Sequence, residues 1–330
     1  MRSVGSRFMM KHLIKKNWFF AGIFIVVLLA FGFPSLGRWV REYSILSVGI
    51  FMAFFITGLT LETSSIGPQL RRFAAPAAAM ISSLLVIPLL AWVMAIAVMP
   101  PEFVIGVCII ATAPVTVAAG TVMTDLGRGN VPLSLLICVL GNVLAVFTIP
   151  FSLKIFVSFS GQIELPVFQM LFGLAITVLL PTLAGQLIRP LVKDKLPSYR
   201  KLFSIFQQCI VLTIIFNAMA SSTGRILQAG ASVILVLAFM IFLHSLVLGM
   251  NYAASRLIGL DRPSTTAFTI HTSQKTLTVS YLVWAGYFAA QYPMALIPGI
   301  GYHLTQTIMD SIVAEKFRIA ADRAAGKFKT

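Results

Sequence analysis

The chain has 330 residues, of which 58% are hydrophobic and only 11% are charged, with a mean hydropathy of +0.93. Soluble domains carry about 25% charged residues, so this chain lacks the charge to cover a water-soluble fold and is far too apolar for a disordered one. Its formal charge of +15 does not point to a nucleic-acid partner, because the basic residues sit in connections between apolar runs, where they report membrane topology.

A bilayer core of about 30 Å is crossed by roughly 20 apolar residues in a helix. Ten runs of that kind occur, near 17–36, 44–62, 73–98, 103–124, 131–157, 165–189, 203–221, 228–256, 264–287 and 291–313. They predict an all-α polytopic membrane protein with about ten transmembrane helices, residues 1–330 forming a single membrane domain. The first run follows a basic stretch, Lys11 to Lys16, and lacks a small-residue cleavage site, so it reads as a retained span. With the N-terminus in the cytoplasm, alternate connections collect twenty of the 25 Lys and Arg residues, against four (Arg38, Arg41, Lys154, Arg225) on the other side. This asymmetry places both termini in the cytoplasm, with Trp18, Trp39 and Tyr43 near span ends as interfacial anchors. The absence of any Asn-x-Ser/Thr acceptor and the short connections suggest the inner cell membrane.

Two five-helix repeats are expected, 1–157 and 165–313, followed by a basic cytoplasmic tail, 314–330. An odd number of spans per half inverts the second half, an arrangement common among secondary transporters. Pro34-Ser35-Leu36 is echoed by Pro181-Thr182-Leu183. Cys108, Cys138 and Cys209 lie in apolar runs with no metal-ligand spacing, so no disulfide framework, metal or cofactor is expected.

The fourth run of each half is broken by polar residues. One reads Ala111-Thr112-Ala113-Pro114-Val115-Thr116 through Gly120-Thr121 to Thr124-Asp125; the other reads Thr269-Ile270-His271-Thr272-Ser273-Gln274-Lys275-Thr276. In lipid, irregular backbone survives only where protein or water covers it, so the two breaks are expected to cross near the midplane and present helix ends there. Pro88 and Pro150 read as packing kinks. Asn142 and Asn217 serve equally well as interhelical hydrogen-bonding residues or as site residues.

Lys275 is the sharpest single residue, about 16 Å from either interface at 1.5 Å per residue, too deep to snorkel. Glu62, Asp125 and Asp310 all fall toward cytoplasmic helix ends in this topology, so no carboxylate is expected beside it. Intramembrane charges mark functional sites by default. His271, one turn earlier, reads as a core histidine or as a proton-sharing neighbour, and His244 and His303 as core histidines.

These residues resemble the bile acid:sodium symporter family over nearly the whole chain. Phe54 to Leu61 is similar to that family's F-x-x-G-L-x-L segment. Ala113-Pro114 through Thr124, with Leu126 to Ser134 after it, resembles its proline-containing fourth span and following loop. Tyr302 to Gln306 with Asp310 resembles its last span. The resemblance implies a panel of spans 1, 2, 6 and 7, a core of spans 3–5 and 8–10, a transport site where spans four and nine cross, and organic anions as substrates. The sodium ligands depart from the family's pattern. The expected Ser-Asn pair falls on Ala119-Gly120 or Gly120-Thr121, and Thr124 matches the threonine that follows. Gln274 matches the family's Gln, Lys275 replaces its Asn, and Ile270 or His271 stands where its Glu belongs. A sodium ion beside an ammonium with no carboxylate is electrostatically disfavoured.

The expected function is therefore secondary transport of a small organic anion, coupled to H+ in preference to Na+. Lys275, Gln274, Thr276, Ser273, Thr116, Thr121, Thr124, Pro114, His271 and Asn217 are the candidate substrate- or ion-binding residues. The rival readings are a sodium-coupled symporter of the same family, a membrane enzyme using Lys275 or His271 as base near Asp125, and a non-transporting receptor. No H-E-x-x-H, G-x-S-x-G or phosphate-loop motif is present to favour an enzyme.

Overall fold

Besides a buried apolar core, many large apolar side chains point outward while a set of polar ones is enclosed, a distribution unlike that of a soluble protein. Leu85, Leu89, Val93 and Ile96 form an exposed stripe at helical spacing, as do Phe147, Phe151 and Ile155, and again Phe168, Phe172 and Ile176. The side chains of Ser83, Asn217, His244, Asn251, His271, Lys275 and Asp310 are enclosed. Hydrocarbon is the solvent that makes this arrangement favourable. The computed structural model describes residues 18–19, 21–42, 45–63, 66–70, 73–116, 118–158 and 164–326. Arg2 to Lys16, Tyr43, Arg71, Arg72, Lys327 and Lys329, which contribute to the topology reading, lie outside the described residues.

Every described regular element is helical. In chain order they are α1 (Ala21–Gly32), α2 (Pro34–Glu42), α3 (Ile45–Thr60), α4 (Gly67–Leu70), α5 (Ala74–Ile81), α6 (Ile87–Val98), α7 (Pro101–Thr112), α8 (Ala118–Leu126) and α9 (Val131–Ser158). Then follow α10 (Val167–Leu174), α11 (Leu180–Val192), α12 (Leu196–Ala229), α13 (Ala231–Leu257), α14 (Arg262–Ser273), α15 (Leu277–Tyr287) and α16 (Ile297–Ala324). Among the described residues, five continuous helices are long and apolar enough to cross a membrane: Ala74–Val98, Val131–Ser158, Val167–Val192, Leu196–Ala229 and Ala231–Leu257. The protein is a multi-pass helical membrane protein.

Several boundaries differ from those expected. The first apolar run is split at Phe33, because Pro34 cannot continue the α1 hydrogen-bond ladder and starts α2 instead. The run expected at 203–221 belongs to the 34-residue α12. The stretch expected as a basic tail from 314 continues α16 to Ala324, where Arg318 pairs with Glu315 and Asp322, at 2.5 and 3.3 Å.

Two helices contain a wide π-turn just before a proline: Ser82–Val86 ahead of Ile87-Pro88, and Ala175–Leu179 ahead of Leu180-Pro181. In each, the residue before the proline donates five residues back, Ile87 to Ser82 and Leu180 to Ala175. The extra residue absorbs the clash a proline ring makes with the preceding turn.

The helices pack in two groups. One contains α2, α3, α11 and α12; the other contains α5 to α9 and α13 to α16. They meet along α12 and along α9–α10. In the first group, Gly58 and Gly185 bring α3 and α11 into backbone contact, since a Cβ on Gly58 would collide with the Thr182 carbonyl and one on Gly185 with the Phe55 carbonyl. Small residues permit this approach between membrane helices. Gln186 then donates its amide to the Gly58 and Leu61 carbonyls, at 2.5 and 2.7 Å, serving oxygens left over at the end of α3.

Candidate functional site

Helix α7 stops at Thr112 because Pro114 lacks an N–H and holds the residue before it out of the helical region; Ala113 has φ −60° and ψ 150°. The chain resumes as α8 at Ala118. Helix α14 begins crisply, with the Asp261 carboxylate accepting the Ser264 N–H at 3.0 Å and Pro263 in the first turn. It ends at Ser273 without a proline. Gln274 and Thr276 are extended, and α15 starts at Leu277. Gln306 of α16 explains the interruption: its side-chain oxygen accepts from the Lys275 N–H at 2.8 Å and its amide donates to the Lys275 carbonyl at 2.9 Å. One side-chain amide thus satisfies both backbone groups of an unwound residue. The two interruptions touch, the Thr276 N–H donating to the Pro114 carbonyl at 2.9 Å.

The Lys275 side chain is fully enclosed at 0% exposure. Its Nζ donates to the Ser83 carbonyl at 2.6 Å, to Ser83 Oγ at 3.1 Å and to the Ala113 carbonyl at 3.1 Å. An ammonium has three N–H bonds and finds three oxygens. The Ser83 carbonyl is available because the donor a π-turn would offer it, five residues on, is Pro88, which has no N–H. Among the described residues, no carboxylate pairs with Lys275. The Nζ group is surrounded by neutral oxygens, the setting in which a bound cation would be held.

Beside it runs a buried chain of hydrogen bonds. His244 Nε2 meets Asp310 Oδ1 at 2.9 Å, and Gln274 donates its amide to Asp310 Oδ2 at 2.7 Å. Thr116 donates its hydroxyl to the Gln274 side-chain oxygen and accepts the Gly120 N–H at 3.2 Å. His271 bridges the Thr116 carbonyl, 2.7 Å from its Nε2, and the Ser134 hydroxyl on its Nδ1 side. Gly120 makes room for that ring, because a Cβ there would collide with it. On the other face, Asn251 donates to Ser273 Oγ at 2.8 Å and accepts from Ser82 at 2.6 Å, while the Tyr302 hydroxyl donates to the Ser273 carbonyl at 2.7 Å.

The structure therefore gathers Pro114, Thr116, His271, Ser273, Gln274, Lys275 and Thr276 around one meeting point. Thr276 is the half-buried member, opening α15. Thr121 lies behind His271, 3.5 Å from the Ser134 hydroxyl. Thr124 donates back to the Gly120 carbonyl of its own helix at 2.8 Å. Asn217 lies apart from the breaks, where it ties α12 to the Gly37 carbonyl at 2.8 Å and accepts from the Tyr281 hydroxyl at 3.2 Å.

Asp310, which the sequence reading keeps apart from the site, lies at the middle of α16 and hydrogen-bonds Gln274. His244, read as a core histidine, is buried and hydrogen-bonded to Asp310, and Pro88, read as a packing kink, follows the π-turn at Ser82–Val86. Ser83 and Asn251 carry no signal in the sequence, and Ser134, Tyr302 and Gln306 enter it only through the family resemblance, not as site residues. The Tyr302-to-Gln306 motif with Asp310 was the signal that reached part of this set.

A family model described as the SBF-like CPA transporter family matches residues 17–319 of the chain. The chain belongs to that family. It is similar to a protein of Arabidopsis thaliana named probable sodium/metabolite cotransporter BASS4, chloroplastic, with 28% identity over 92% of this chain and 72% of the relative. It is also similar to sodium/bile acid cotransporter 7-B of Xenopus laevis, at 23% identity over 91% of each chain. A third relative is the uncharacterized sodium-dependent transporter YocS of Bacillus subtilis (strain 168), at 23% identity over 89% of each chain. The SBF-like family membership, together with these relatives, makes the chain a secondary transporter of the bile acid:sodium symporter type and not an enzyme.

Proposed function

We propose that this SBF-like protein carries a small organic anion across a cell membrane by alternating access, with H+ as the coupling ion. The observation that carries the reading is the Lys275 ammonium, set among three neutral oxygens where two helix interruptions meet. An ammonium fixed there supplies the countercharge an anion requires. Helices α8 and α15 both begin at the meeting point, and their N-termini add partial positive charge. Thr276 and Thr116 offer hydroxyls at those helix starts, and Gln274, Ser273 and His271 hold the surrounding chain.

The fold reading that goes with this function has ten spans in two inverted repeats, 1–157 and 165–313, with both termini in the cytoplasm. The group of α2, α3, α11 and α12 serves as the panel, and the remaining packed group as the core that moves against it. Lys275, with Ile270 or His271, stands at positions where the family resemblance implies sodium ligands, and none of these side chains is a carboxylate, which supports H+ over Na+. A sodium-coupled symporter of the same family is the second reading, favoured by the names of the relatives, each of which is called a sodium or sodium-dependent transporter.

Uptake by proteoliposomes containing the full chain, under imposed pH or sodium gradients and across a panel of organic anions, separates these readings. Uptake driven by a pH gradient and abolished by Lys275→Ala, with expression intact, is the expected result. A requirement for a sodium gradient replaces the first reading with the second, and unchanged uptake by Lys275→Ala removes the site assignment.

A further inference from the structure

Of the described carboxylates, Asp310 alone is enclosed completely, at 0% exposure; Asp322, the next most buried at 8%, is paired with Arg128 and Arg318. The two oxygens of Asp310 are divided between His244 Nε2 and the Gln274 amide. His244 is equally enclosed, and its other ring nitrogen, Nδ1, is buried without a hydrogen-bond partner among the described residues. A buried polar atom with no partner calls for an explanation, and here the explanation is a vacant basic nitrogen next to a carboxylate. We propose that the His244–Asp310 pair is the proton-binding site of the transport cycle, a proposal that rests on the proton-coupled reading above.

The charge balance accounts for coupling. Lys275 and Gln274 are consecutive in the break; one carries a cation and the other holds the Asp310 carboxylate, so the empty site is close to neutral. One proton on the pair forms one new N–H or O–H bond, nothing leaves, and the pair becomes neutral overall. The Lys275 charge is then unopposed, which favours entry of a monovalent anion. Proton and anion enter together because each improves the electrostatic setting of the other. Proton binding also has a mechanical route to the crossing. With the carboxylate ionised, Gln274 donates to it and accepts from Thr116. A proton on Oδ2 turns the carboxyl into a donor, which requires the Gln274 amide to rotate and frees the Thr116 hydroxyl for another acceptor.

The other titratable groups on the elements around the pair have different bonding. Tyr302 stacks edge-on against His244, with ring centroids 5.0 Å apart, and donates to the Ser273 carbonyl. His303 meets the Gln306 amide at 3.2 Å, and His271 is held between Thr116 and Ser134. Lys275 is held by Ser83 and Ala113. On α7, Glu102 accepts the Met294 N–H at 2.7 Å and Cys108 is buried; on α8, Asp125 is exposed. Among the described residues, none of these is hydrogen-bonded to the pair.

The test is pH-difference infrared spectroscopy on the full chain in lipid nanodiscs, with carboxyl-13C aspartate and ring-15N histidine in turn. A carboxyl or imidazole signal that titrates in the wild type and vanishes in Asp310→Asn is the expected outcome, accompanied by Asp310→Asn proteoliposomes whose anion uptake ignores a pH gradient. A wild-type spectrum with no such titration overturns the site by itself, so the decision stands even where the variant fails to fold. Asp310→Asn uptake that still follows the pH gradient overturns it as well. If wild-type uptake does not respond to a pH gradient while the pair still titrates, the proton-coupled reading fails and the pair is a proton-binding site with no part in the transport cycle.

Discussion

Gln306 stands in for a neighbouring strand at Lys275, taking its N–H at 2.8 Å and capping its carbonyl at 2.9 Å. The break in α14–α15 is thereby held open by a residue 31 positions away in the chain, with no proline or glycine in the break. Replacing Gln306 by Leu leaves two buried backbone groups unpaired, at about 1–3 kcal/mol each. We expect a marked loss of thermal stability in detergent, together with faster amide exchange at Lys275. Equal protection of that amide in Gln306→Leu counts against the role assigned to Gln306.

Pro88 is expected to act on Lys275 without touching it. Pro88→Ala restores an N–H five residues after Ser83 and gives the Ser83 carbonyl a helical donor to compete with the ammonium. Stability should change little or rise, because a proline is removed from a helix interior, while uptake falls. A stability gain with uptake unaltered separates the π-turn from the transport site.

The contact between α3 and α11 has no room for a side chain. Gly185→Leu drives a branched side chain into the Phe55 carbonyl, and backbone cannot yield as a flexible side chain does. The expected cost exceeds about 3 kcal/mol, at or beyond the upper end of ordinary overpacking, and should appear as loss of folded protein on size-exclusion chromatography. Gly224→Ala, at a position with open space around it, is the matched control and should behave as wild type.

Asn217 separates glue from site. It links α12 to α2 and accepts from Tyr281, so Asn217→Ala should cost about 1 kcal/mol of stability, in the range of interhelical hydrogen bonds. The apparent KM for a transported anion should stay within error of wild type. A large KM change would return Asn217 to the binding site.

Much of the site was legible because lipid makes polar residues conspicuous. Pro114 and the run from Thr269 to Thr276 stood out against apolar surroundings, and Lys275 stood out most of all. Its partners were harder to find. Two of the three oxygens around the ammonium are main-chain carbonyls, from Ser83 and Ala113, which leave no mark in side-chain chemistry. Ser83 itself has no distinguishing spacing or motif around it. Asp310 was set aside for a different reason: it lies near the end of an apolar run, whereas α16 continues to Ala324, with Arg318 paired to Glu315 and Asp322. Apolar runs show where a helix enters lipid more readily than they show where it stops.

That continuous α16 has a consequence at the rim of the protein. It carries Gln306 and Asp310 in the interior and, about 18 Å beyond Asp310 at 1.5 Å per residue, Asp322, which pairs with Arg128 at 3.6 Å. Arg128 sits in a left-handed turn with φ 58° just after α8, the helix that starts at the opposite break. A stiff rod and a short one, both rooted at the crossing, are buckled together at their far ends. A pair of spin or fluorescent labels at these far ends reads out whether a shift at the crossing reaches the surface.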